Sequence, residues 1–227
     1  MNLDLHIHSK YSFDSILEPK RIVKTALSMG INAIAVTDHN TIKGALRTRV
    51  YQNRDLIVIN GSEIKTNFGD IVGLFLTEEI VSRDFFGVVD EIKEQDGIIV
   101  LPHPYRKRET ISGELLNKVD LIEILNARSS EKENAEAKEL AKRSGKIGIA
   151  GSDAHFSFEI GRVQTIASDP IENEEDLRKA LLHTDLNVFG VESPYIVHAF
   201  SVAIEKLKKK QFLELLKVYG REIRRRI

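Results

Sequence analysis

The chain has 227 residues, a formal charge of −1, 30% charged residues and no cysteine. Without cysteine there is no disulfide framework, thiolate metal ligand or cysteine nucleophile, so any metal must be held by His, Asp, Glu or Asn. No stretch reaches the roughly eighteen apolar residues of a membrane helix, and no linker or low-complexity tract interrupts the chain, so one ordered cytoplasmic domain over 1–227, with no membrane contact, is expected.

A strand-like run over 2–8 opens the chain. A helix follows over 18–30, with Ile22, Val23, Ala26 and Leu27 at helical spacing, Pro19 in its first turn and Gly30 at its C-cap. Residues 33–38 read as a strand, 41–51 as a helix, 56–63 and 70–76 as strands, and 82–96 as a helix that Gly97 ends. Strands at 98–102, 120–125, 147–151, 163–167 and 186–191 alternate with helices near 112–118, 131–144 and 173–183. Repeated βα units predict an α/β fold with a parallel sheet closed on itself.

The segment 199–227 is helical in pattern, with Phe200, Ile204, Leu207 and Leu215 among its apolar positions. It carries nine Lys/Arg against three Glu, about +6, which leaves about −7 on residues 1–198. Such a basic C-terminal helix is either a solvated face packed on the barrel or a contact for nucleic acid or a second subunit.

Five of the seven histidines, His6, His8, His39, His103 and His155, sit where an apolar run ends. A parallel barrel gathers the carboxyl ends of its strands on one face, so these rings would meet and form a metal site. His6 and His8 are two apart, as are Asp153 and His155, and each pair shares a strand face. Glu63 ends the run that starts at Ile57, and His103 stands between two prolines. Asp4, in phase with His6 and His8, is expected to orient a ligand from below. Asp38 points away from the site that His39 faces. His183 and His198 fall outside strand ends and receive no site role.

Asp4-Leu-His6-Ile-His8-Ser9, Thr37-Asp38-His39, Gly61-Ser-Glu63-Ile, His103-Pro104 and Gly151-Ser-Asp153-Ala-His155 resemble, in order, the motifs of the PHP (polymerase and histidinol phosphatase) superfamily. The resemblance covers residues 1 to about 165. It implies a distorted (β/α)7 TIM-like barrel that holds two or three divalent ions, zinc, manganese or iron, at the C-terminal ends of its strands. Carried over by position, it puts His6, His8, Glu63 and Asp153 around one ion. Glu63 then bridges to a second ion held with His103 and Asn126, and Asp14, His39 and His155 hold a third. Asn126 stands where members often carry histidine or cysteine, and an amide is a weaker ligand for a transition metal.

With its metals such a site is cationic and attracts an anionic, phosphorylated substrate. Without them, Asp14, Glu63 and Asp153 on one rim are expected to raise one another's pKa values. The implied activity is hydrolysis of a phosphate ester, whether a small phosphomonoester, a nucleotide or a nucleic-acid end, by a metal-bridging hydroxide. Histidinol-phosphate phosphatase is an alternative enzyme, and a non-catalytic accessory module is the alternative outside catalysis. Arg128, Arg106 and Lys107 are the expected phosphate anchors.

Overall fold

The apolar runs become nine strands of one sheet in the computed structural model, which describes residues 1–106, 111–168, 171–183 and 186–209. In chain order the described elements are β1 (Asn2–Ile7), α1 (Pro19–Ser28), β2 (Ala33–Val36), α2 (Lys43–Arg49), β3 (Ile57–Thr66), β4 (Gly69–Leu74), α3 (Phe85–Glu94) and β5 (Ile98–Leu101). These are followed by α4 (Gly113–Lys118), β6 (Leu121–Asn126), α5 (Glu131–Ser144), β7 (Ile147–Gly151), β8 (Val163–Ile166), α6 (Glu174–His183), β9 (Asn187–Gly190) and α7 (Ile196–Lys208). The strand order across the sheet is β7-β6-β5-β4-β3-β2-β1-β8-β9.

Pairing is parallel within β1–β2–β3 and within β5–β6–β7. Strand β4 is antiparallel to both β3 and β5, so those two triplets run in the same direction and end on one rim. Here the sheet departs from the all-parallel expectation. Strand β3 continues to Thr66 and turns back through Asn67 and Phe68, with Gly69 at φ 99°. So short a turn makes only antiparallel neighbours, because a parallel return needs a long crossover. Strand β8 is likewise antiparallel to β1, and β9 to β8.

The sheet curls until β7 returns to β1. Ile7 bridges Ala154 in parallel, and His8 N–H donates to the Ala154 carbonyl at 2.9 Å. Lower down, Thr165 of β8 fills the seam, its Oγ1 accepting the Ala150 N–H at 2.7 Å. The result is a nearly closed, TIM-like α/β barrel. Leu3, Leu5, Ala33, Ala35, Ile59, Val72, Val100, Leu121 and Ile149 share the interior cluster. The alternate residues Ile7, Ile34, Val36 and Val58 pack outward with Ile22, Val23 and Ala26 of α1. That alternation is the period of two expected of strands buried on both faces.

Helix α7 is the described part of the expected basic segment. Residues 210–227, with Arg221 and Arg224 to Arg226, lie outside the described residues. Among the described residues no helix is long and apolar enough to cross a membrane.

Candidate metal centre

Strand β1 carries an irregularity between Asp4 and Ile7 in its pairing with β2. A bulge adds one residue and resets the inside–outside alternation. Leu3 and Leu5 face the interior, and beyond the bulge His6 and His8 also do, while Ile7 turns outward. Asp4 is therefore out of phase with the two histidines, contrary to the sequence expectation. Its carboxylate accepts the N–H groups of Ser152 and Gly161, each at 2.9 Å, and so ties β1 to the loop that bears Asp153 and His155. Strand β6 has a second irregularity between Glu123 and Leu125. His103 and Asp153 sit at φ 26° and 53°, a left-handed conformation that non-glycine residues hold only where their surroundings impose it.

Glu63, nearly inaccessible at the end of the apolar part of β3, lies at the middle of the cluster. Its Oε1 is 3.0 Å from His103 Nε2. Its Oε2 is 3.1 Å from His39 Nδ1, 3.4 Å from His8 Nε2 and 3.6 Å from His6 Nε2. Asp153 Oδ1 closes the group at 3.2 Å from His8 Nε2 and 3.8 Å from His6 Nε2, and the two Nε2 atoms are 3.1 Å apart. Donors around a tetrahedral ion bound at about 2.1 Å stand about 3.4 Å from one another, so this spacing fits such an ion. Asp14 Oδ2 lies 2.9 Å from His155 Nε2 and 3.3 Å from His39 Nε2. Among the described residues, three groups could each hold a cation: His6 with His8 and Asp153; His6 with Glu63 and His103; His8 with Asp14, His39 and His155. His8 thus faces two of them, whereas the resemblance gave it to the first ion alone.

The outer nitrogens of three rings are engaged behind the cluster. His6 Nδ1 is 3.1 Å from Glu123 Oε1, His8 Nδ1 is 3.0 Å from Ser12 Oγ, and His155 Nδ1 donates to the Asp153 carbonyl at 2.7 Å. Partners of this kind fix the tautomer and direct the Nε2 lone pair inward, as metal-ligating histidines require. Asp14 Oδ1 is buried without a hydrogen-bond partner, a cost that a bound cation would remove. On these grounds the donor set fits divalent ions.

The carboxylates are not raised on balance, contrary to the expectation from the sequence, because histidines and an arginine are interleaved with them. Burial pushes Glu63 and Asp153 up, but His39 and His103 around the first, and Arg106 and His6 beside the second, hold both well below the usual carboxylate range. Asp14 is likewise held low against burial by His155 and His39. Burial works against charge on His39, yet Glu63 and Asp14 push it up to about 9. His8, buried beside His155 and His39, falls to about 3.

The expected phosphate anchors divide. Arg106 Nη1 donates to Asp153 Oδ2 at 2.6 Å and to Asn126 Oδ1 at 3.4 Å, and its side chain keeps 19% exposure at the rim. Arg128 is buried, and its fork is engaged by Glu159, Nε to Oε1 at 2.9 Å and Nη2 to Oε2 at 2.7 Å. That pairing is structural and takes away the two-pronged grip that a phosphate would need. Lys107 lies outside the described residues. Asn126 also departs from its expected place. Its oxygen accepts Arg128 N–H at 2.8 Å, and its nitrogen donates to Glu123 at 2.9 Å and Asp153 at 3.3 Å, so the oxygen turns toward the arginines.

Sequence reasoning missed Glu123, Ser12, Glu159 and His198. Glu123 had a visible signal, a lone carboxylate inside the apolar run 121–125. Besides His6 it accepts the His103 N–H at 2.8 Å. Glu159 Oε2 accepts the N–H groups of His155 and Phe156 at 3.0 and 3.1 Å, so one buried carboxylate fixes His155 and Arg128 together. Burial, together with the charges of Arg128 and Arg106, lowers the pKa of His198 on α7.

Residues 4–150 match the PHP domain and residues 131–185 the PHP-associated region. The chain is 40% identical over 143 residues to the uncharacterized protein MJ1587 of Methanocaldococcus jannaschii, covering 56% of this chain and 82% of that one. It is 34% identical over 189 residues to the uncharacterized protein MJ0417 of the same organism, covering 78% and 75%. Its fold is similar to a two-domain protein from Bacteroides vulgatus containing a predicted PHP-like metal-dependent phosphoesterase, with TM-score 0.74, 21% identity and coverage of 84% of this chain and 65% of that chain. The chain belongs to the PHP domain family.

Proposed function

We propose that the protein is a metal-dependent phosphoesterase whose ions are held by His6, His8, Glu63, His103, Asp153, Asp14, His39 and His155. The observation that carries this reading is Glu63, which stands within 3.6 Å of four histidine nitrogens from three different strand ends, those of β1, β2 and β5. A carboxylate so placed suits a bridge between adjacent cations, and the Bacteroides vulgatus neighbour supports phosphate esters as the substrate class. Divalent ions, when bound, supply an acidified water and a positive field for the charge that develops on phosphoryl oxygens.

The chain's own residues do the rest. Glu123, Ser12 and the Asp153 carbonyl keep Nδ1 of His6, His8 and His155 occupied, so each ring presents Nε2. Arg106 lies beside Asp153 on the rim, where a guanidinium can take a phosphoryl oxygen. With no cysteine in the chain and Ser12 Oγ engaged by His8 and the His39 N–H, water is the reading's nucleophile.

The test is phosphate release from a panel of small phosphomonoesters, nucleotides and 5′-phosphorylated oligonucleotides with Mn²⁺ or Zn²⁺, for the wild type and His8→Ala. Release by the wild type that His8→Ala abolishes is expected. Equal inertness of both proteins across the panel would sink the enzyme reading and favour an accessory role.

A further inference from the structure

The basic C-terminal helix was set apart by its charge, and its last residue has a use inside the protein. Lys208 Nζ donates to three backbone carbonyls, Lys10 O at 2.8 Å, Ser12 O at 2.6 Å and Ser15 O at 2.5 Å. An ammonium has three donors, and all three converge on one loop almost two hundred residues away in sequence. Charge-assisted bonds of this kind are roughly twice as strong as neutral ones, and they must outweigh the rotamer entropy of an ordered lysine. Two of the three carbonyls, at residues 12 and 15, flank Asp14. Lys209 lies beside the same loop, its Nζ 4.7 Å from the Phe13 ring, which stacks on His39 at 4.6 Å.

Without α7 that loop rests on Ser15 Oγ donating to the carbonyls of His8 and His155, on Ser12 Oγ engaged by His8 Nδ1 and the His39 N–H, and on Lys10 N–H to Leu17 O and Ser12 N–H to Ser9 O. None of these holds the Asp14 side chain. The loop nevertheless places Asp14 Oδ2 against His155 and His39 and leaves Oδ1 buried and unpartnered. The first half of α7 brings His198 near Arg128 and Arg106, and burial together with their charges lowers its pKa.

We propose that Lys208 is a positioning residue that clamps the 10–15 loop from α7 and thereby sets Asp14 for the cation held with His8, His39 and His155. This rests on the metal reading above. It makes the C-terminal helix a part of the metal centre, and it turns the charge at position 208 inward to the protein.

Because the chain has no cysteine, Lys208→Cys can be aminoethylated at that position alone, which restores an ammonium at nearly the original reach. Metal is counted by Mn²⁺ equilibrium dialysis, and the loop is followed by amide exchange of the chelator-treated protein. We expect Lys208→Cys to bind one ion fewer, or that ion at least tenfold more weakly, with faster exchange at residues 10–15 and unchanged exchange in the barrel strands. Aminoethylation is expected to restore both. Unchanged ion number and affinity in Lys208→Cys would overturn the proposal, and so would a loss that aminoethylation does not repair. If the wild type binds no ion, the metal reading falls and the exchange comparison decides alone: a loop as protected in Lys208→Cys as in the wild type overturns the clamp, and a loosened loop restored by aminoethylation upholds it.

Discussion

Glu123 Oε1 stands 3.1 Å from His6 Nδ1, both groups 2% exposed, and through that contact strand β6 sets the ring that β1 presents to the cluster. The same carboxylate accepts the N–H of His103 through Oε2 at 2.8 Å, so one side chain orients two histidines from different strands.

Glu123→Gln keeps the volume but removes the charge that favours an Nδ1–H on His6. Loss of such an outer partner typically weakens metal binding by about 10- to 100-fold. The expected outcome is a fall of that size in Mn²⁺ or Zn²⁺ affinity with the barrel intact, measured by competition with a chromophoric chelator and by circular dichroism. Unchanged affinity would show that the contact does not act on the ion.

Gly151 lies where β7 approaches β1 too closely for a side chain. A Cβ there would stand 2.4 Å from both Glu123 Oε1 and His6 Cβ. Gly151→Ala must therefore push His6 or Glu123 out of place, at a cost of about 1–3 kcal/mol as in other overpacked sites. A lower thermal midpoint together with weakened metal binding is expected. Wild-type values for both would mean that the strands separate freely at this point.

How much of this was legible in the chain depends on the range of the pattern. The strand-end histidines and the βα alternation are local, and the structure brings His6, His8, His39, His103 and His155 together around Glu63 and Asp14. The β1 bulge leaves no mark, because Leu3-Asp-Leu-His-Ile-His8 alternates without a break, and that alternation predicts the wrong phase for Asp4. The β3–β4 hairpin was obscured because Lys65-Thr-Asn-Phe-Gly69 lacks the Asn-Gly or Asp-Gly pair of a tight turn. The Arg128–Glu159 fork and the Lys208 clamp join residues far apart in sequence, and no periodicity reports such contacts.

The two arginines should separate in kinetics. Arg128→Ala leaves Glu159 buried without its cation, and breaking a buried pair costs about 3–5 kcal/mol. It is expected to lower the thermal midpoint strongly. Arg106→Ala removes a rim cation and is expected to raise KM for phosphate esters with a smaller stability change. The opposite assignment of the two phenotypes, in denaturant melts and in steady-state kinetics, would exchange the roles given to them.

His39 gives the metal-free protein and the metal complex opposite responses to pH. Against burial, Glu63 and Asp14 raise its pKa from the ordinary 6.5 to about 9. A histidine raised on folding stabilises the fold fully below pH 6.5, and that contribution is lost as pH rises through about 9. A divalent ion needs the neutral ring and must displace the proton, so ion affinity rises across the same interval, by about tenfold per pH unit for each proton displaced. Chelator-treated protein should therefore melt lower as pH climbs from 6.5 to 9, while Mn²⁺ binding tightens, and His39→Gln should reduce both slopes. A metal-free melting point that holds or rises over that interval would show that the imidazolium is not what stabilises Glu63 and Asp14.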